Sequence, residues 1–472
     1  MIATAPATTA EAEPRLPQQL YDAFRVAGVL PAGETLPGEV SVAMRRQRWL
    51  RRGWASDEIE ATYLQLVRED NVLRWELEDE ADPGRVARRA ARRGGIDLAR
   101  KVIDQFKILP ADGSAISQML GDLDQHLNAS RGLRQVQNGV LGPVGAQPVR
   151  EGRVLLLVHG TFSSASSTLA AWNATEDGRR LLAQAERDHT QVLAYEHATL
   201  SVSPILNALE LKRAFAGSRA KVDVVCHSRG GLVVRWWLEV LDSDRLRDAR
   251  VVFVGSPLQG TSLAAPNRLR HALDMLTNAA FALGNGGQVL FAAIPWVAAV
   301  GGILRVFAAG TGAVSKTPLV DATLAMIPGL AAQARTNNNF ELQGLAAGSA
   351  RVPAGYRFVV SNFQPVDPGD RWKFWTYYTN LGAAAADAGA DFVFNCENDL
   401  AVDTSSMTQL TGTLSATSKE NILDFGLSRT VHHLNYFDQP KMYAFIEQSL
   451  QRETPDRARP KARRRAPRAK TH

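Results

Sequence analysis

The sequence of 472 residues contains only two cysteines, Cys226 and Cys396. Two cysteines cannot build the framework of several disulfides that holds many small secreted proteins together, and they do not have zinc-site spacing. The first residues, MIATAPATTAEAEPRLPQQ, also lack a basic segment followed by an apolar run, so no secretory signal is recognised. These absences predict a cytoplasmic protein with reduced thiols.

Most of the chain lacks an excess of positive charge, although its formal net charge is +6. Residues 457–472 hold eight Lys or Arg and no acid, and the remaining chain has 46 basic against 48 acidic side chains. A near-neutral body argues against specific nucleic-acid binding, which needs clustered positive charge. We expect 453–472 to form a disordered basic tail, with contact to an anionic surface as the alternative.

The amino-terminal third carries no recognisable catalytic motif. We expect 1–37 to be disordered, because Ala, Thr, Pro and Glu dominate there. From 38 to 145 the prediction is a helical region, since DEIEATYLQLV and LARKVIDQFKIL place apolar residues three or four apart. Such a region would pack on the rest of the chain or recruit a partner.

From 150 to 452, short apolar runs alternate with helical sequence. This alternation predicts βαβ units and an α/β fold with a doubly wound, mostly parallel sheet that is covered on both faces. A final helix is expected at about 439–451. The predicted strands are VLLLV at 154–158, QVLAYE at 191–196, VDVVCH at 222–227, RVVFVGSP at 250–257, YRFVVSN at 356–362 and DFVFN at 391–395.

An apolar insertion at about 262–345 interrupts this pattern, and its residues 275–304 carry no formal charge. That length could span a bilayer. It lies between strands of one sheet, however, so a span would divide the sheet across a membrane. We therefore predict an apolar cap over a pocket, with a membrane-touching cap and a true span as the weaker alternatives.

Ser228, in VDVVCHSRGGLVVRW, stands between a predicted strand and a predicted helix. A sharp strand-to-helix turn crowds its neighbours, and small residues two before and two after relieve the crowding. Cys226 and Gly230 occupy those positions, which gives a nucleophile elbow G-x-S-x-G with Cys in place of the first Gly. The sequence predicts that Ser228 is a nucleophile; a helix-capping serine is the alternative.

A serine nucleophile needs a base and an acid. We predict His433 as the base, with His432 second, and exclude His227 because the turn should point it away. For the acid we predict Asp399, then Asp403, then Glu397; a simple Asn-Asp turn is the alternative. The order Ser228, Asp399, His433 is that of α/β-hydrolases.

An oxyanion needs N–H donors beside the nucleophile. The turn HGTF after the first strand could supply one from Thr161 or Phe162, and the backbone of Arg229 could supply the second. No metal or organic cofactor is required by this chemistry.

The motifs HGTF, CHSRGG, GSPLQGTSLA, NDLAVDTSSM and HHLNYF, in that order, resemble the α/β-hydrolase superfamily. More narrowly, residues 150–450 resemble bacterial lipase-like serine hydrolases related to triacylglycerol lipases and lipid-anchor deacylases. The resemblance implies Ser228 as nucleophile, Asp399 as acid and His433 as base. Cys226 departs from the usual glycine, which bears on catalytic efficiency more than on fold.

The sequence thus predicts a carboxylic ester hydrolase acting on lipid or other acyl substrates, with peripheral membrane contact through the cap or the basic tail. An acyltransferase or an amide or thioester hydrolase would use the same residues. The alternative from another class is a non-catalytic interaction module with a hydrolase fold.

Overall fold

The computed structural model of the protein describes the central part of the chain and several shorter segments. The described residues are 29–31, 62–69, 72–79, 101–108, 113–145, 148–264, 327–335, 339–348, 352–363, 398–399, 401–411, 414–416, 418–428 and 430–451.

A sheet of eight strands forms the centre of the described part. Its order is β12-β11-β10-β9-β7-β8-β5-β6. The six strands from β12 to β8 are parallel, and β5 and β6 extend the edge in antiparallel pairing. Its strands are β5 Gly132–Gln137, β6 Val140–Val144, β7 Arg153–Val158, β8 Gln191–Glu196, β9 Lys221–His227, β10 Arg250–Val254, β11 Tyr356–Phe363 and β12 Ile422–Ser428.

Helices connect these strands as the crossovers of a parallel sheet require. A π-helical segment, Trp236–Leu241, follows α5 directly, and short 3₁₀ turns lie at Thr404–Met407 and Tyr436–Asp438. The described α-helices are α1 Gly113–Leu127, α2 Ala165–Ala174, α3 Glu176–Asp188, α4 Pro204–Ala214, α5 Gly230–Arg235, α6 Ser243–Leu246, α7 Pro328–Ala331, α8 Phe340–Gly348 and α9 Pro440–Gln451.

The apolar runs are buried because the sheet is covered on both faces. In β7, Leu156 packs in a core with Val224 and Trp237, whereas its neighbour Leu155 packs on the other face with Trp172. Side chains of a strand alternate between faces, so a strand covered twice needs apolar residues at every position. This requirement explains why VLLLV at 154–158 in β7 and VVFV at 251–254 in β10 are apolar at every position.

The described segments between 29 and 108 form a separate four-stranded antiparallel sheet of order β1-β4-β2-β3. The helices predicted around 57–67 and 98–109 were wrong, since both segments contain strands. Eight residues can satisfy a helical and a strand period at once, and pairing with neighbouring strands then decides. The strands are β1 Val29–Pro31, β2 Thr62–Glu69, β3 Val72–Asp79 and β4 Lys101–Ile108.

The first four predicted strands of the larger sheet, the strand at 356–362 and the final helix are confirmed. The sequence pattern did not predict β12. It also did not predict that β5 and β6, which precede residue 150, belong to the same sheet. The predicted strand DFVFN, most of the cap insertion and its uncharged run, and the basic tail lie outside the described residues.

A mostly parallel sheet of eight strands with helices on both faces is the architecture of the α/β-hydrolase fold. Among the helices that the structure describes, none combines the length and apolarity needed to cross a bilayer.

Candidate active site

Ser228 occupies the turn between β9, which ends at His227, and α5, which begins at Gly230. Its φ of 53° lies in the left-handed region, which costs a non-glycine residue free energy and is enriched at functional sites. The backbone N–H of Ser228 donates to the carbonyl of Val254 at 2.9 Å, and the residue is 8% exposed. The structure thus holds a strained serine at the carboxyl edge of the sheet.

The residues on both sides of Ser228 are small because there is no room for larger ones. A Cβ at Gly230 would lie 2.6 Å from the carbonyl oxygen of His159 and 2.8 Å from that of Val158. Cys226 is fully buried, with its thiol against the carbonyl of Val252. The crowding predicted from the spacing is therefore present, and the backbone of β7 causes it at Gly230.

Asp399 and His433 form a buried pair at the same edge. The Nδ1 atom of His433 lies 2.8 Å from Oδ2 of Asp399, and the His433 backbone N–H donates to the Asp399 carbonyl at 2.9 Å. The hydroxyl of Tyr436 also donates to Oδ2, at 2.9 Å. The other carboxylate oxygen accepts the backbone N–H groups of Val402 at 2.8 Å and Ala401 at 3.1 Å.

These donors keep Asp399 ionised although it is fully buried. Burial alone would raise the pKa of this carboxyl. The charge and hydrogen bond of His433 and the two backbone N–H groups act in the opposite direction and prevail, so the pKa of Asp399 is lowered. Asp399 is therefore a carboxylate at neutral pH, able to orient the imidazole of His433 and to stabilise its protonated form.

The other candidates for base and acid lie in different surroundings. Burial lowers the pKa of His432 to about 4, and its ring packs edge-on against Phe363. Asp403 accepts from the backbone N–H and hydroxyl of Ser262 and pairs with Arg335 at 3.2 Å. Glu397 lies outside the described residues.

The end of β10 brings the serine and the His–Asp pair to one place. Val254 accepts the N–H of Ser228, and a Cβ on the next residue, Gly255, would lie 3.0 Å from Oδ2 of Asp399 and 3.2 Å from Nδ1 of His433. Within the described part of the chain, the Ser228 hydroxyl makes no hydrogen bond with the His433 ring. Catalytic hydrogen bonds of this kind often form only with substrate bound.

His227 has a role that its sequence position did not reveal. Its Nε2 lies 3.1 Å from the carbonyl oxygen of His433, and the two rings are 4.7 Å apart. Burial, together with the charge of His433, lowers the pKa of His227 to about 3. The ring is thus neutral at ordinary pH, and its Nε2–H donates to His433, which helps to fix the loop that carries His433.

The turn HGTF lies against Ser228: a Cβ at Gly160 would be 2.6 Å from the Cβ of Ser228. The N–H of Phe162, whose φ is 57°, donates to the hydroxyl of Thr199 at 3.3 Å. The side chain of Thr161 is bound by the Nε2 group of Gln333 at 2.9 Å. Of the two N–H groups predicted from this turn, that of Phe162 therefore already has an acceptor.

Arg229 has its side chain fully buried. Its Nη2 donates to Oδ1 of Asn207 at 2.8 Å and to the carbonyl of Val202. Burial lowers the pKa of Arg229 to about 10, against the opposing charges of Asp124 and Glu341. This anchored side chain holds the backbone that follows the nucleophile.

Metal binding has no support in the residues that the structure describes, where no group of three or more His, Cys, Asp or Glu could hold an ion.

Solved structures with which the chain aligns at low identity include lipases, carboxylesterases and an epoxide hydrolase. Lipase BlEst2 from Bacillus licheniformis is 15% identical, with 65% of this chain and 96% of that chain covered and a TM-score of 0.31. Lipase 1 from Pelosinus fermentans is 13% identical, with 64% and 99% covered and a TM-score of 0.38. Carboxylesterase CesB from Bacillus subtilis is 11% identical, with 72% and 96% covered and a TM-score of 0.25.

No curated protein matched the sequence. A family model described as a domain of unknown function, DUF7379, matches residues 131–451. This match begins just before β5 and ends with α9, so it spans the whole larger sheet and the site at its carboxyl edge. The chain therefore belongs to the DUF7379 family.

Proposed function

We propose that the protein is a serine hydrolase that cleaves carboxylic esters through Ser228, His433 and Asp399. The observation that carries the proposal is the fully buried Asp399–His433 pair, 2.8 Å apart, beside the strained turn of Ser228. A serine, an ionised carboxylate and a histidine meet the requirements of acyl transfer through an acyl-enzyme, and they follow one another along the chain in the order of α/β-hydrolases.

In the first step, Nε2 of His433 takes the hydroxyl proton of Ser228 while the serine oxygen attacks the acyl carbon. Asp399 stabilises the resulting imidazolium through Nδ1. The tetrahedral intermediate then collapses, and His433 gives its proton to the departing alcohol. Water, deprotonated by the same imidazole, attacks the acyl-serine, and the carboxylic acid leaves as Ser228 regains its proton.

The oxyanion of the intermediate needs preorganised N–H donors. We assign this task to the backbone N–H groups of Thr161 and Arg229. Thr161 follows Gly160, which packs against Ser228, and Arg229 follows Ser228 directly, whereas the N–H of Phe162 already donates to Thr199. We propose lipid or other acyl esters as the substrates, because residues 275–304 carry no charge and residues 457–472 are basic, a composition that favours contact with a lipid surface.

Labelling with a fluorophosphonate tests the nucleophile. The wild-type protein should react at one site, and the Ser228→Ala variant should not react. Ser166→Ala is the matched control, because it makes the same chemical change at an exposed position of α2 and should leave labelling unchanged. Absence of labelling in folded wild-type protein would rule the proposal out.

Turnover of p-nitrophenyl esters of increasing acyl length would then define the substrate. The proposal expects Ser228-dependent release of p-nitrophenol, with kcat/KM rising from the acetate towards longer chains. Turnover that survives in Ser228→Ala would assign the reaction to another group.

A further inference from the structure

Asp124, on α1, is a fully buried carboxylate that lies before the segment matched by the family model. Its oxygens accept the backbone N–H groups of Thr199 at 2.7 Å, Leu200 at 3.1 Å and Ser201 at 2.6 Å. They also accept the hydroxyls of Thr199 at 3.4 Å and Ser201 at 2.6 Å. One side chain thus holds three successive residues of the loop after β8.

This loop, residues 199–203, contacts the turn that contains Phe162 and the side chain of Arg229. The hydroxyl of Thr199 accepts the N–H of Phe162, in the turn that packs against Ser228. The carbonyl of Val202 accepts from the side chain of Arg229, the residue after the nucleophile.

The same loop also fixes the chain where it returns to the described fold at 327–335. The N–H of Gly329 donates to the carbonyl of Leu200 at 2.9 Å, and a Cβ at Gly329 would lie 1.9 Å from the carbonyl oxygen of Thr199. A shift of loop 199–203 would therefore move several neighbours at once.

The orientation of the Thr199 hydroxyl is set by Asp124. A hydroxyl has one hydrogen, and because Thr199 donates it to the carboxylate, a lone pair remains for the N–H of Phe162. Phe162 has a φ of 57°, a conformation that persists only where surrounding contacts hold it. The Asp124–Thr199 pair supplies such a contact.

We propose that Asp124 and Thr199 are positioning residues for the turn HGTF, residues 159–162, which supplies an N–H donor to the oxyanion. On this proposal, α1 is part of the catalytic apparatus. Asp124 orients Thr199, and Thr199 holds the N–H of Phe162, which keeps the adjacent N–H of Thr161 aimed at the developing oxyanion. The inference rests on the proposed esterase function. Neither residue touches the substrate.

Two pairs of variants test the chain of contacts. Thr199→Val removes the hydroxyl and retains the shape, whereas Thr199→Ser keeps the hydroxyl. Asp124→Asn places an amide N–H₂ against N–H donors, whereas Asp122→Asn makes the same change at an exposed position of the same helix. For each variant, kcat and KM for a p-nitrophenyl ester are measured per fluorophosphonate-titrated site, together with the melting temperature.

Thr199→Val and Asp124→Asn should lower kcat about tenfold to hundredfold at nearly constant KM, because a misplaced oxyanion donor affects the transition state more than substrate binding. Thr199→Ser and Asp122→Asn should stay within about twofold of wild type. Equal kcat in Thr199→Val and wild type would overturn the inference, and so would a loss that Thr199→Ser shares.

Hydrogen exchange separates this inference from the proposed function. In Thr199→Val and Asp124→Asn, amide protection should fall in residues 158–165 and stay unchanged in β9 and β10. If wild-type protein neither turns over esters nor reacts with the probe, the proposed function fails whatever the exchange shows. If residues 158–165 keep full protection in both variants, the positioning role fails whatever the activity.

Discussion

Asp399, the proposed catalytic acid, should also contribute to the stability of the fold. Its four hydrogen bonds keep it ionised in the folded protein, so its pKa lies below that of an unfolded aspartate, about 3.9. A depressed pKa stabilises the fold above the unfolded value, and this contribution is lost as pH falls through the folded value. The side chain should therefore contribute fully at neutral pH and lose its contribution in acid.

We expect Asp399→Asn to lower kcat for an ester by about 10³–10⁴-fold, since an amide no longer stabilises the imidazolium or selects its tautomer. Its melting temperature should lie below that of wild type by a constant amount between pH 5 and 8. The difference should begin to shrink below about pH 4, where the unfolded aspartate takes up a proton, and should reach its minimum once the pH falls below the lower pKa of the folded carboxyl. A difference that stays constant down to pH 2 would contradict the lowered pKa, and wild-type kcat would contradict the role.

The three predicted catalytic residues are local sequence features. Ser228 follows a β-branched run and precedes glycines, and Asp399 and His433 lie in short motifs with polar neighbours. The supporting residues are of another kind. His227, Thr199 and Asp124 act through contacts with residues distant in sequence, and no local pattern distinguishes such a residue from an ordinary one.

Elements with long apolar runs were predictable, and short half-buried ones were not. The runs at 154–158 and 251–254 are buried on both faces, so every position is apolar and the pattern is clear. β12, ILDFGLS, contains only partly buried and exposed residues, one of them Gly426. Its assignment depends on pairing with β11, which the local sequence does not encode.

The contact between α5 and β7 depends on one position, Gly230. We expect Gly230→Ala to destabilise the protein by about 1–3 kcal/mol, because the added methyl group would overlap two backbone carbonyls that cannot rotate away. Ser228 should also be displaced, so that probe labelling slows. Urea unfolding and the labelling rate are the measurements.

Gly121→Ala is the matched control, because nothing lies within 4 Å of a Cβ at this helical position. Its effect should be neutral or stabilising by up to about 1 kcal/mol, the difference between Gly and Ala in a helix. Equal unfolding midpoints for the two variants would show that the approach of α5 to β7 is looser than the structure indicates.

In the molecule as a whole, the two ends of the strands in the larger sheet carry different groups of polar residues. The proposed chemistry lies at the carboxyl ends of the strands. At the amino ends, the fully buried Asp223 of β9 accepts from Arg153 of β7 and Arg250 of β10, both at 2.7 Å. Its other oxygen lies 2.8 Å from Nε2 of His189.

This cluster fastens three adjacent strands. Burial would raise the pKa of Asp223, but hydrogen bonds from His189 and Arg250 outweigh it and lower the pKa. We expect Asp223→Asn to lower the free energy of unfolding by about 2–4 kcal/mol, less than for a fully buried pair, because the partly buried Arg153 and Arg250 lose their charged partner. Urea titrations would measure this loss of stability. In the folded variant without urea, kcat per fluorophosphonate-titrated site should equal that of wild type.

Asp248→Asn, which removes one half of an exposed ion pair with Lys221, should change little. A large fall in kcat per site in Asp223→Asn would show instead that the two edges of the sheet are coupled.

The insertion begins and ends at points that are fastened to each other. The N–H of Thr261 donates to the carbonyl of Gln333 at 2.8 Å, and the N–H of Arg335 donates to the carbonyl of Thr261 at 3.1 Å. Loop-closure entropy grows slowly, at about 0.6 kcal/mol for each doubling of length. The residues in between can therefore be replaced by segments of other lengths at small cost to the stability of the sheet. If the proposed function holds, such replacements would change which esters the protein accepts.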